Sequence, residues 1–165
     1  MNVLFVCSAN RFRSVISAAC FQSLLEKRNP EGSWNVSSAG TWAKDGLPPL
    51  TEAVAFARKN GFNIDNVRSR EVNAYQLQDA DLVIVMSPGQ KEALTLEFPR
   101  EKDRIFLCSE VCEDQAYSIP DPVEDNIDQS PEELAEELCR LIELGFDRIC
   151  ELARRLYQER QGKRE

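Results

Sequence analysis

Near its start the chain runs Asn2-Val-Leu-Phe-Val6, breaks at Cys7, passes five residues of a different character and resumes at Arg13-Ser14 with a helical pattern. The apolar, β-rich run predicts a buried strand. The pattern from Arg13 onward predicts a helix whose first turn meets the end of that strand through a short loop. Such a junction is severely constrained. The N–H groups of the loop and the helix N-terminus converge into a concave, anion-attracting site. A guanidinium at the helix start adds forked donors that match phosphate oxygens. A thiol in that field is favoured as thiolate. The stretch predicts a nucleophile inside an anion cradle.

The remainder alternates in the same way. A helix is predicted over 14–28, ended by Asn29-Pro30-Glu31-Gly32, then a strand over 34–39 closed by Gly40-Thr41. Pro48-Pro49 opens a second helix that Asn60-Gly61 caps, and a short helical piece covers 74–78. Asp81–Met86 is a near-continuous β-branched run, hence a central parallel strand. Ser87-Pro88 starts a helix to about Leu96, and 103–107 is a fourth strand with Cys108 at its end. Residues 109–129 read as an acidic loop. Ser130-Pro131-Glu132-Glu133 is a strong helix start. From there an apolar stripe predicts one long helix on the sheet, with 158–165 a frayed, solvated tail. Strand–helix alternation of this kind predicts an α/β fold: a single domain over 1–165, a three-layer sandwich in which helices flank a four-stranded parallel sheet. Its ligand site is expected at the carboxyl ends of the strands.

Composition narrows the function. At 165 residues the chain is long enough to bury a core without staples. The net charge of −8 argues against nucleic acid and anionic membranes as partners. No apolar run has the length of a membrane span, and no basic start resembles an export signal, so a cytoplasmic location is expected. Six cysteines, no His and no CxxC predict neither a disulfide framework nor a metal site, and no cofactor is implied. Cys108 and Cys112 are expected as reduced cysteines near a strand end rather than as a redox pair. Without His, proton transfer falls to a carboxylate, a thiol, Lys or Tyr. Ser118-Ile119-Pro120-Asp121-Pro122 offers a carboxylate between two prolines, which restrict the backbone that aims it.

Cys7, five residues, then Arg13-Ser14 resembles the phosphate-binding loop of the low-molecular-weight protein tyrosine phosphatases, a fold shared with arsenate reductases. Ser37-Ser38-Ala39-Gly40-Thr41 and Trp42 resemble the family's second strand, Arg70 matches a family Arg, and Asp121-Pro122 resembles its general-acid loop. The resemblance runs from about Val3 to Pro122 and implies the phosphotyrosine protein phosphatase I-like fold, a monomer or weak dimer. It implies a two-step phosphoryl transfer. Cys7 attacks phosphorus and Arg13 binds the equatorial oxygens with the loop N–H groups of Ser8, Ala9, Asn10, Arg11, Phe12, Arg13 and Ser14. Ser14 supports the thiolate, and Asp121 protonates the leaving group and later activates water. Asn10 and Ser38 hold the loop's shape. The implied substrate is a phosphorylated protein, foremost at phosphotyrosine, or a small phosphomonoester.

This chain also departs from the family pattern. Phe12 replaces a Cys that can form a protective disulfide with the nucleophile in relatives. Arg11 stands where small or aliphatic residues are usual; it is either a solvated charge or a cation that favours a more acidic substrate. Val123-Glu124-Asp125 replaces aromatics that flank a substrate ring. Val67 stands where a His often backs the loop, so Asn10 is expected to be less firmly held. Ser87 falls where relatives carry Met-Asp. Two other functions remain open from sequence: arsenate reduction, with Cys108 and Cys112 as resolving thiols, and a non-catalytic phosphate- or phosphoprotein-binding domain.

Overall fold

The computed structural model describes residues 1–162. Its four strands are β1 (Asn2–Cys7), β2 (Asn35–Gly40), β3 (Leu82–Val85) and β4 (Ile105–Leu107). They form one parallel sheet in the order β2-β1-β3-β4. Seven helices among the described residues cover it: α1 (Arg13–Arg28), α2 (Thr51–Asn60), α3 (Ala74–Asp79), α4 (Pro88–Glu97), α5 (Cys108–Glu113), α6 (Pro131–Leu144) and α7 (Phe146–Gly162).

Alternation along β1 and β3 sorts the core into two layers, because successive side chains of a strand point to opposite faces. Val3, Phe5, Cys7, Leu82 and Ile84 join the cluster formed with α1, α6 and α7. Leu4, Val6, Val83 and Val85 join Leu77 and Leu94 of α3 and α4 on the other face. The three-layer α/β sandwich expected from the sequence is the observed fold. Burial of a single side chain such as Phe5, fully enclosed, contributes about 1.5–3 kcal/mol.

Four expectations are corrected. Cys108, expected at a strand end, and residues 109–113, expected in a loop, form α5, and the six residues before β4 form a 3-10 turn that shortens the strand expected over 103–107 to Ile105–Leu107. The expected single C-terminal helix is two, with the break at Gly145. The cause is α5. A Cβ on Gly145 would lie 2.3 Å from Cys112 Sγ and 2.8 Å from Cys112 Cα, so the helix passes this point only as glycine. The bend delivers Phe146 to the core, its ring centroid 5.5 Å from that of Phe21. Finally, the helix continues past Tyr157 to Gly162 rather than fraying. Arg160 reaches back to Asp81 and to the carbonyls of Asp79 and Ala80 at the end of α3. The last three residues of the expected tail lie outside the described residues. Among the described residues, no helix is long and apolar enough to cross a membrane.

Candidate active site

Strand β1 lies inside the sheet, and its carboxyl end is where the chain turns out of the sheet into α1. Cys7 is in register with Gly40 of β2. The Cys7 and Ser8 carbonyls accept from Thr41 N at 2.8 Å and Trp42 N at 3.0 Å. Gly40 is required for this approach: a Cβ there would stand 2.3 Å from the Ser8 carbonyl oxygen and 3.1 Å from Asn10 N. The loop then curls through Asn10, whose φ of 56° is left-handed, a conformation Asn tolerates better than most residues. The N–H groups of Ala9 through Phe12 have no acceptor among the described residues. They are unspent donors in the loop that follows Cys7, the property an anion cradle needs.

Hydrogen bonds fix each side chain behind this loop. Asn10 is 1% exposed, and both its amide hydrogens and its amide oxygen are engaged. Its Nδ2 donates to Ser14 Oγ and to Ser38 Oγ, both at 2.9 Å, and its Oδ1 accepts from Arg70 N at 3.0 Å. The expectation that Val67 leaves Asn10 loosely held is therefore wrong: Ser38 and the Arg70 backbone supply the hold. Ser14 Oγ lies 3.1 Å from Cys7 Sγ. Because Ser14 already accepts from Asn10, its own proton is free to be donated to the sulfur.

Arg13, the first residue of α1, is buried and reaches across to the 118–125 loop. Its Nη1 donates to the Ile119 carbonyl at 3.0 Å, and its Nη2 pairs with Asp121 Oδ2 at 2.6 Å. The other carboxylate oxygen of Asp121 accepts from Val123 N at 2.9 Å, and Asp121 N donates to Asp125 Oδ2 at 2.6 Å. The structure thus brings together Cys7, Arg13, Ser14, Asn10, Ser38 and Asp121. It narrows the part of two others. Phe12 turns its ring into the core and offers the cradle only its N–H. Arg11 is half-buried, with its Nε donating to the Pro48 carbonyl at 2.8 Å and its own carbonyl accepting from Leu50 N. It is a braced cation rather than a freely solvated one.

Sequence reasoning missed three contributors. Ile119 acts through its carbonyl, which no residue type announces. Gln90 is buried at the start of α4 and donates to Ser8 Oγ at 3.1 Å, a partner 82 positions away. Trp42 is anchored by its N–H to Ser8 while its side chain is 84% exposed; a large aromatic beside a glycine strand exit was the available signal.

The remaining thiols stand apart from this chemistry. All six cysteines are free. In α5 a hydrogen bond to Cys112, together with burial, pushes the Cys108 thiol well above its ordinary range, the wrong direction for a resolving nucleophile.

Arranged together, these groups hold a thiol, a forked cation, unspent N–H donors and a carboxylate around one small volume. Such a set suits in-line displacement at a phosphoryl centre. Known proteins of similar sequence or structure are named as phosphatases. A "Protein-arginine-phosphatase" of Bacillus subtilis (strain 168) is 30% identical over 145 residues, covering 86% of this chain and 94% of that one. A solved structure of the YwlE arginine phosphatase, whose C7S mutant carries a phosphorylated active-site serine, matches with a TM-score of 0.80 and 26% identity over 98% of this chain and 99% of that one. A low molecular weight protein tyrosine phosphatase from T. tengcongensis matches with a TM-score of 0.78 and 31% identity over 87% and 96%. The family model described as "Low molecular weight phosphotyrosine protein phosphatase" matches residues 2–161. With that match over nearly its whole length, the chain belongs to the low molecular weight phosphotyrosine protein phosphatase family.

Proposed function

We propose that the protein hydrolyses phosphomonoesters, with protein phosphotyrosine as its substrate class, through a phosphocysteine intermediate. The observation that carries this is the meeting of Cys7, Ser14, Arg13 and Asp121 around a loop of unspent N–H donors. In the first step Cys7 Sγ bonds to phosphorus as the ester P–O bond breaks, and Asp121 gives its proton to the departing oxygen. Arg13 and the loop N–H groups, from Ser8 to Ser14, bind the oxygens on which negative charge sits throughout. In the second step water attacks phosphorus, Asp121 takes its proton, and the P–S bond breaks to return the thiolate and release phosphate. Ser14 donates to the sulfur whenever it is free. Asn10 and Ser38 keep the loop in shape.

Relatives named for phosphoarginine make that the second reading. Two features of this chain favour the aryl phosphoester. Arg11 is a braced cation in the loop itself, poorly suited to a substrate guanidinium and suited to an acidic peptide. Trp42, whose backbone N–H bonds the Ser8 carbonyl, carries an exposed indole, an aromatic surface of the kind that Val123 and Glu124 do not supply. Arsenate reduction ranks lower because Cys108 and Cys112 are buried against each other in α5. The deciding experiment is turnover of matched phosphotyrosine, phosphoserine, phosphoarginine and sugar phosphates, with vanadate as inhibitor and Cys7→Ser as blank. Phosphotyrosine is expected to be hydrolysed fastest and the blank to be inactive. Equal rates for wild type and Cys7→Ser would sink the mechanism, and a faster phosphoarginine arm would reverse the substrate choice.

A further inference from the structure

Ser8 comes directly after the nucleophile, and its hydroxyl is oriented by its neighbours in a way that the loop N–H groups are not. Two donors converge on Ser8 Oγ: Gln90 Nε2 at 3.1 Å and Arg13 Nη2 at 3.4 Å. A hydroxyl has two acceptor lone pairs and one proton. With donors facing both lone pairs, the proton must leave in a third direction, and no acceptor for it stands within hydrogen-bond distance among the described residues.

Gln90 cannot reverse this arrangement by flipping its amide. Its Oε1 accepts from Met86 N at 2.9 Å and Ser87 N at 3.1 Å, and both are backbone donors that a flipped NH2 would meet head-on. Gln90 is 6% exposed, and its own N–H is capped by Ser87 Oγ. The orientation of the Ser8 hydroxyl is thereby dictated from the junction of β3 with α4, on the opposite side of β1 from Ser38.

We infer that the Ser8 side chain is a further phosphoryl-oxygen donor, held in its donating orientation by Gln90 and free to bond an oxygen of the phosphoryl group that the loop holds. This rests on the phosphatase reading and goes beyond it, since there Ser8 supplies only its backbone N–H. Ser8 touches substrate; Gln90 is a positioning residue that acts through it. The donor is neutral and already oriented, so it binds the phosphoryl group in ground and transition states alike. Its loss is expected in KM and in phosphate affinity rather than in kcat.

Calorimetric titration with inorganic phosphate, alongside kcat and KM on 4-nitrophenyl phosphate, tests this in wild type, Ser8→Ala, Ser8→Thr, Gln90→Met and the Ser8→Ala/Gln90→Met double variant. Ser8→Ala is expected to weaken phosphate binding about tenfold, the size of one hydrogen bond to a charged group. Ser8→Thr, which keeps the hydroxyl, restores it. Gln90→Met weakens binding about three- to fivefold on its own and adds nothing in the Ser8→Ala background, as expected of a residue acting through Ser8. An unchanged phosphate Kd in Ser8→Ala, or full additivity in the double variant, overturns the inference; additivity is what a purely structural Gln90 would give. The phosphate titration needs no turnover. A protein that binds phosphate with the expected Ser8 dependence but hydrolyses no ester overturns the phosphatase reading and leaves this donor standing.

Discussion

Arg13 Nη2 and Asp121 Oδ2 stand 2.6 Å apart across 108 positions of sequence, with only 5% and 14% of their side chains exposed. In the proposed mechanism the pair joins the cation that binds the phosphoryl group to the carboxylate that serves its leaving group. An incoming phosphate competes with Asp121 for the same guanidinium, and once bound it presses an anion against the carboxylate. Phosphate binding by Arg13 and the pairing of Asp121 with it are therefore linked.

Asp121→Asn separates the two roles. Asparagine keeps the side chain's size but removes the competing charge and the transferable proton. Inorganic phosphate is expected to bind about three- to tenfold more tightly to this variant. Phenyl phosphate turnover should fall about 10²–10³-fold, the usual scale of general acid catalysis. Turnover of 4-nitrophenyl phosphate, whose leaving group needs less help, should fall by about tenfold or less. Equal losses on the two esters would remove Asp121 from the acid role.

Gly40→Ala tests how far the loop depends on its neighbour strand. The new Cβ meets backbone, the Ser8 carbonyl oxygen at 2.3 Å, and Ala43 Cβ at 2.8 Å, so either β2 or the loop must move. A displacement approaching 1 Å costs on the order of 100-fold in rate, and overpacking lowers stability by about 1–3 kcal/mol. Steady-state kinetics and urea denaturation report the two effects. A variant with wild-type kcat/KM would show that the loop tolerates the shift.

Gly145→Ala separates stability from activity. Alanine there meets Cys112 Cβ at 2.6 Å and Cα at 2.8 Å, far from the loop in the chain and without a flexible atom that can yield. A loss of about 2–3 kcal/mol in denaturation is expected, with kcat/KM of the folded fraction close to wild type. Cys112→Ala removes only the Sγ contact, so it should rescue the variant only in part.

These positions also mark where the sequence could be read and where it could not. The Cys7–Arg13 spacing is local, so the strand, the loop and the helix that starts at the arginine were legible together. The β-branched run at 82–85 announced a strand buried on both faces. Gly145 was illegible because it sits inside an uninterrupted helical stripe, and its reason is Cys112, 33 positions earlier, in a helix too short to announce itself. Gln90 looked like the N3 residue of a capping box, which it is; its bond to Ser8 exists only after β1 and β3 pair. Asn10 looked undersupported because a missing His was visible, whereas the compensating Arg70 N–H belongs to a backbone with no residue code.

Tyr117 gives an alkaline prediction. Burial and donation from its hydroxyl to Glu113 Oε2, 2.8 Å away, push its pKa up to about 12. The folded state therefore keeps a proton that the unfolded state loses near pH 10. The stabilisation is complete below about pH 10 and is lost as pH rises through about 12, so stability falls with pH across that window. Tyr117→Phe should abolish this slope and remove one late step from the phenolate absorbance titration. If the slope survives in the variant, the hydrogen bond to Glu113 is not its source.

Arg160 tests whether the end of the chain belongs to the fold. The Asp81 carboxylate, with 6% of its side chain exposed, faces Asn2 N at 2.8 Å through one oxygen and Arg160 through the other. Arg160 also satisfies the carbonyls of Asp79 and Ala80 at the end of α3, groups the helix itself leaves without partners. Arg160→Ala leaves a nearly buried charge half-paired. Removing one partner of a fully buried pair costs about 3–5 kcal/mol; with Arg160 itself 20% exposed, a loss of about 2–3 kcal/mol is expected here. Asp81→Asn in the same chain should recover most of that loss, because the penalty arises from the stranded charge and not from the missing arginine. A chain shortened after Tyr157 should match Arg160→Ala in its denaturation midpoint. If both stay within about 0.5 kcal/mol of wild type, the range of ordinary surface substitutions, the contact at Asp81 contributes nothing and the terminal turn is solvated after all.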